Sequence, residues 1–132
     1  MLVVNVYLPC VGTVDRMSII EVIFDEIWSW RLKYPQSSLI IGGDFNVDLA
    51  KRSTVANYIQ DFLTCHSLIR CDLNFPSAQQ STYVDESLDH SSAIDYFVCE
   101  EVDEIIDYYV ISPNINLSDQ LPVAIRCNCV YS

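Results

Sequence analysis

The chain opens on an apolar, β-branched run, Val3-Val4-Asn5-Val6-Tyr7-Leu8, halted by Pro9. The pattern predicts a largely buried strand over residues 3–8. From Asp15 to Tyr34 the apolar residues Met17, Ile20, Ile23, Phe24, Ile27 and Trp30 recur at three- and four-residue spacing. That period predicts an amphipathic helix, ended by Pro35 because the residue before a proline is driven out of the helical region. Ser38-Leu39-Ile40-Ile41-Gly42 predicts a short strand feeding a turn at Gly42-Gly43-Asp44-Phe45-Asn46. A second helix follows from Ser53 to Leu68, with Ser53 as its cap and Val55, Ile59, Phe62 and Leu63 along one face.

The second half changes character. β-type runs extend from Ala93 to Cys99, Asp107 to Ile111 and Leu121 to Cys127, with a shorter one near Ser81 to Val84. Strand, helix, strand, helix and then strands is an α/β order. No internal repeat, low-complexity tract or flexible linker interrupts it, so residues 1–132 read as one unit.

Composition narrows the function classes. Apolar residues make up 51% of the chain and charged residues 19%, which excludes a disordered polymer and supplies a core. The 18 acidic residues outnumber the 7 basic ones for a net charge of −11. Lys and Arg contacts to phosphate supply most non-specific nucleic-acid affinity, so this chain alone is expected to bind DNA weakly. The opening apolar run is too short to span a bilayer and lacks a basic leader, so neither a signal peptide nor a membrane helix is expected. The six cysteines, Cys10, Cys65, Cys71, Cys99, Cys127 and Cys129, are scattered, several within apolar runs. That distribution fits buried thiols and an intracellular, reducing setting, nuclear or cytoplasmic, better than a disulfide framework. The spacings of Cys127-x-Cys129 and of Cys65, His66 and Cys71 match no tetrahedral zinc site.

Three places carry candidate chemistry, each with a plainer alternative. In Gly42-Gly43-Asp44-Phe45-Asn46, Asp44 and Asn46 project from the C-terminal end of a buried strand, where ligands gather in α/β proteins. Both side chains are equally suited to hydrogen-bond their own turn. Asp95 interrupts the interior-type run Ala93-Ile94-Asp95-Tyr96-Phe97-Val98, and a buried carboxylate needs a partner or a metal. On an edge strand it would instead face solvent, opposite Ile94 and Tyr96. Asn116-Leu117-Ser118-Asp119-Gln120-Leu121-Pro122 is a polar cluster before the last strand and, alone, an ordinary loop.

Taken together and in this order, Asn5-Val6-Tyr7-Leu8-Pro9, Gly42-Gly43-Asp44-Phe45-Asn46, Ser81-Thr82-Tyr83, Ser92-Ala93-Ile94-Asp95-Tyr96 and Leu117-Ser118-Asp119-Gln120-Leu121-Pro122 resemble the endonuclease/exonuclease/phosphatase superfamily. The likeness is strongest to the endonuclease domain of LINE-type retrotransposons, where the domain accompanies a reverse transcriptase. The resemblance implies half of a four-layered α/β sandwich, a mixed, mostly antiparallel sheet with two helices on one face.

It also implies roles. Tyr7 matches the tyrosine that contacts the scissile phosphate, Asp44 the carboxylate that orients the attacking water, and Asn46 the amide that steadies phosphate and nucleophile. Asp95 matches the carboxylate that orients the catalytic histidine. Asp119 matches the metal-site aspartate, with Ser118 beside it and Thr82 near the DNA-contacting surface. The implied cofactor is Mg²⁺, a hard ion suited to carboxylate oxygens, and the implied partner is DNA.

Two departures bear on activity. Gln120 stands where the family has histidine, and an amide holds no proton at neutral pH. The family's N-terminal half, with its metal-binding glutamate, would precede Met1. The expectation is therefore a domain derived from a Mg²⁺-dependent DNA endonuclease but inactive, with an exposed sheet face prone to self-association. The alternatives are an active phosphoesterase completed by a second chain, and a non-enzymatic interaction remnant.

Overall fold

The computed structural model describes residues 1–71, 83–85, 90–92, 94–100, 105–110 and 123–127. The elements run β1 (Leu2–Tyr7), α1 (Arg16–Lys33), β2 (Leu39–Asp44), α2 (Thr54–Cys65), β3 (Ile69–Arg70), β4 (Tyr83–Asp85), β5 (His90–Ser92), β6 (Asp95–Cys99), β7 (Ile105–Val110) and β8 (Val123–Cys127). The expected α/β class is present as a mixed four-stranded sheet in the order β1-β2-β6-β3, with β4-β5 and β7-β8 as antiparallel pairs. β1 lies parallel to β2, while β6 is antiparallel to both β2 and β3.

One side of this sheet is the core. Val6 of β1, Leu39 and Ile41 of β2, and Tyr96 and Val98 of β6 share a buried cluster with Ile20, Phe24 and Ile27 of α1 and Val55, Ile59 and Leu63 of α2. The helices meet through aromatic edges. Phe24 stands T-shaped to Tyr58 at 6.0 Å and to Phe62 at 4.7 Å, and Trp28 to Phe62 at 6.2 Å. His66 stacks on Trp28 at 3.8 Å, so this histidine has a packing role. Burial, and then the charges of Asp25 and Glu21, push the Tyr58 phenol above its ordinary pKa.

Several boundaries differ from the sequence expectation for physical reasons. β1 is half-exposed rather than largely buried: it is an edge of this sheet, and its alternate residues Val3, Asn5 and Tyr7 face away from the helices into solvent. Trp30, placed by its spacing on the buried stripe of α1, is exposed, stacks on Tyr34 and donates from Nε1 to Glu26. Val22 and Leu32 are exposed too, so apolar residues occur around much of α1. α2 begins as expected, with the Ser53 hydroxyl accepting from the Ala56 N–H at 3.0 Å, but it ends at Cys65 rather than Leu68. Ser67 turns into the left-handed region (φ 55°), and the Leu68 N–H reaches back to the Leu63 carbonyl at 2.8 Å, a Schellman-type stop made without glycine.

The far end of the sheet is fastened by Glu100. Its carboxylate accepts two hydrogen bonds from Arg31 of α1, at 2.7 and 3.0 Å, and one from the Leu39 N–H at 2.8 Å. The bond to Glu100 holds the Arg31 guanidinium above its usual pKa. Among the described residues, no helix is long and apolar enough to cross a membrane.

The packing ranks two substitutions. Phe24→Ala, which empties the contact between the helices, is expected to cost about 3–5 kcal/mol. Ser53→Ala, which removes only a cap, is expected to cost about 1 kcal/mol. Urea unfolding of both variants measures the difference, and equal losses would contradict this account of the core.

Candidate functional site

The site grows from the C-terminal end of β2. The two glycines were expected to form a turn, but both lie within the strand and keep their partners on either side. Gly42 pairs Asn5 and Phe97, and Gly43 pairs Val6 and Tyr96. Their need is close approach. A Cβ on Gly42 would run into the Phe97 ring, and one on Gly43, at φ +131°, would strike the Val6 carbonyl. The chain turns one step later, at Asn46, which takes a left-handed φ of 51°.

This geometry sets three of the candidate residues in one row. Tyr7 is the register partner of Asp44 across the β1-β2 ladder, and Asp44 is the partner of Asp95 across β2-β6. Partners on adjacent strands leave a sheet on the same side. Here that side is opposite the helices, because the next row inward carries the core residues Val6 and Tyr96. Tyr7 is 78% exposed, whereas Asp44 and Asp95 are half-buried. β6 is flanked by β2 along its length and by the two-residue β3 only at Val98 and Cys99, so Asp95 pairs with Asp44 on the β2 side, beyond the reach of β3.

Asn46 builds the corner beside that row. Its Nδ2 donates to the Leu8 carbonyl at 2.6 Å, and its backbone N–H donates to Asp44 Oδ1 at 2.9 Å. The plainer reading of Asp44 as a turn-forming side chain therefore holds together with its place in the row. Further bonds join the three strand ends: the Leu8 N–H donates to the Asp44 carbonyl, and the Phe45 N–H to that of Ile94, each at 2.9 Å. Phe45 lies flat on Tyr96 at 4.2 Å, and the Tyr96 hydroxyl donates to the Val47 carbonyl at 3.1 Å.

Arg16, the first residue of α1, belongs to none of the motifs above. Its Nε donates to the Pro9 carbonyl at 2.9 Å and its Nη2 to the Asn46 carbonyl at 2.8 Å, so one guanidinium joins the chain leaving β1 to the corner after β2. A basic residue in the first turn of a helix, where the dipole disfavours a positive charge, is the signal that marked it.

Of the remaining candidates, Thr82, Ser118, Asp119 and Gln120 lie outside the described residues. Asp44 and Asp95, adjacent across two strands, are carboxylates of the hard-oxygen type that Mg²⁺ takes. Among the described residues, no group of three or more His, Cys, Asp or Glu is gathered as a metal-binding cluster.

The corner generates a prediction. Asn46→Ala loses the amide bond to Leu8 and puts a β-carbon residue at a left-handed φ, while Asn46→Gly loses the bond alone. Thermal or urea unfolding should show the alanine variant less stable than the glycine variant by about 1 kcal/mol, with both below the unchanged protein. A glycine variant no more stable than the alanine one would refute the backbone part of this account.

No family model and no curated protein matches the sequence. Solved structures do match the fold. A 3′ phosphatase from Neisseria, NExo, whose structure holds a product DNA hairpin, superposes with a TM-score of 0.73 at 18% identity, over 96% of this chain and 61% of its own. The endonuclease domain of TRAS1, a telomere-specific non-LTR retrotransposon, gives 0.69 at 18% identity, over 83% of this chain and 52% of its own. A functionally unknown conserved protein from Enterococcus faecalis gives 0.59 at 20% identity, over 96% and 50%. The chain thus spans between half and about three-fifths of the length of these structures, and over that span it shares the fold of the Neisseria 3′ phosphatase and of the retrotransposon endonuclease domain.

Proposed function

We propose that this chain carries the site of a Mg²⁺-dependent phosphodiester hydrolase of DNA-endonuclease descent, and that Gln120 leaves it with little or no turnover. The observation that supports this most is the row Tyr7, Asp44, Asp95 at one end of the sheet, with Asn46 at its corner. Phosphodiester hydrolysis needs an oriented water, donors around the phosphorus and relief of its negative charge.

In this reading the exposed Tyr7 hydroxyl donates to a phosphate oxygen, and the Asp44 carboxylate accepts a hydrogen bond from the attacking water. The Asn46 backbone N–H steadies Asp44 through the turn they share, and its side-chain amide, held by the Leu8 carbonyl, steadies phosphate and nucleophile. Mg²⁺, when bound to the carboxylate set with Asp119, would offset the charge of the phosphate. Ser118 and Thr82 belong to the surrounding substrate surface. Asp95 would orient a histidine at position 120; with glutamine there, it has no imidazole to hold, and no side chain shuttles a proton to the leaving oxygen. The substrate proposed is DNA, approached against a net charge of −11, so weak and salt-sensitive binding is expected.

A second reading, a non-enzymatic interaction remnant, draws on the exposed residues Val3 and Tyr7, which face away from the helices. Contiguous exposed apolar surface marks an association site, and self-association would follow from it.

A plasmid-nicking assay in Mg²⁺ separates the two readings. Gln120→His is expected to nick about 10²- to 10⁴-fold faster than the unchanged chain, and adding Asp44→Ala to it should abolish the gain. An unchanged chain that nicks as fast as Gln120→His would sink the proposed role of Gln120. If no variant nicks, the chain is not a sufficient catalyst and the interaction reading takes its place.

A further inference from the structure

Two of the six cysteines meet in the interior, and the hydrolytic site makes no use of them. Cys71 follows directly on β3, and Cys99 is the last residue of β6, paired in register with Ile69. Both are buried, and their sulfurs lie 3.2 Å apart. Cys10 and Cys65, by contrast, are exposed. The backbone at Cys99 is held from two sides: Ile40 is its partner on β2, and the following residue, Glu100, is tied to Arg31 and Leu39.

We propose that Cys71 and Cys99 are an oxidation site, closed to a disulfide by hydrogen peroxide. A disulfide needs its sulfurs at about 2.0 Å, so the pair must draw together by roughly 1 Å, within the reach of side-chain rotation. In the first step one thiol sulfur attacks peroxide; an S–O bond forms, the O–O bond breaks, and one water leaves, giving a sulfenic acid. In the second step the neighbouring sulfur attacks the sulfenic sulfur; the S–S bond forms, the S–O bond breaks, and hydroxide leaves with the thiol proton as a second water. Two thiols lose two protons and two electrons, and one peroxide takes them up to become two waters. The second thiol is already in contact, so the sulfenic acid is captured before a further peroxide arrives.

The bond would tie β3 to β6 and close the loop from residue 71 to residue 99. Closing a loop of that length restricts the unfolded chain enough to raise the melting temperature by on the order of 10 °C.

The sequence supplies a clean readout. No Lys or Arg stands between Arg70 and Arg126, so trypsin releases residues 71–126 as one fragment whose only cysteines are Cys71 and Cys99. The folded chain is treated with hydrogen peroxide, alkylated under denaturing conditions, digested and weighed. The expected fragment is lighter by two hydrogens and takes up no alkyl group. Untreated protein takes up two, and the oxidised protein melts higher than the reduced one. A Cys71→Ser, Cys99→Ser variant should lose the peroxide-dependent rise in melting temperature. The proposal is overturned if the fragment still takes two alkyl groups at a peroxide dose that has oxidised Cys10 and Cys65. It is equally overturned if the fragment gains oxygen as sulfinic or sulfonic acid, or if the bridged protein melts no higher.

Discussion

The arrangement depends on how closely three backbones approach one another at Gly42 and Gly43. β2 is the only described strand paired parallel on one side and antiparallel on the other, and both ladders run through these two residues. Phe97 occupies the space a Cβ at position 42 would need, and the Val6 carbonyl does the same at position 43. Because the strands close up there without slipping register, the next position along brings Asp44 level with Tyr7 on one neighbour and Asp95 on the other. Strain is concentrated immediately beyond, where Asn46 holds a left-handed φ with its amide bonded to Leu8.

The core shared with the helices and the candidate row occupy opposite sides of the same strands, and Ile40 and Cys99, on the side of the row, are buried as well. The side facing the helices carries Val6, Ile41, Tyr96 and Val98; the other side carries the row. Alternation of side chains makes this division automatic, since residues one apart on a strand point to opposite faces. Tyr96 and Asp95 are neighbours in sequence, yet one stacks on Phe45 in the core and the other faces its partner Asp44. The exposed Tyr7 can therefore change at little structural cost, while Asn46 and Arg16 serve the fold and the site together.

The helices and the strands flanking them were legible because their signals are local. Apolar spacing located α1 and α2, Ser53 marked a cap and Pro35 a stop. Features decided by tertiary contact were not legible. The composition of β1 is that of a buried strand, and only its edge position exposes Val3 and Tyr7. α2 stops at Cys65, turned aside by the left-handed Ser67 with no glycine or proline to announce it, and β3 is too short for a periodic pattern. The glycine pair was noticed for the wrong reason, since composition does not distinguish a turn from a close approach between strands. Within the site, motif order identified Tyr7, Asp44, Asn46 and Asp95 as a set, but their alignment in one row is a matter of register. Arg16 belongs to no motif; its charge in the first turn of α1 sets it apart, and its role shows only in the carbonyls it joins.

The acidic surplus bears on what such a site can do. A carboxylate pair level across two strands repels an incoming phosphate unless a cation intervenes, and the chain as a whole repels it further. Arg16, the described cation bonded into the corner beside the row, is committed to the Pro9 and Asn46 carbonyls. Arg16 keeps its positive charge in those bonds but has spent donors on them, so a bound divalent ion or another polypeptide would add the charge that draws a phosphodiester to Asp44. That electrostatic requirement applies to every reading in which this sheet edge meets nucleic acid, whatever residue stands at position 120.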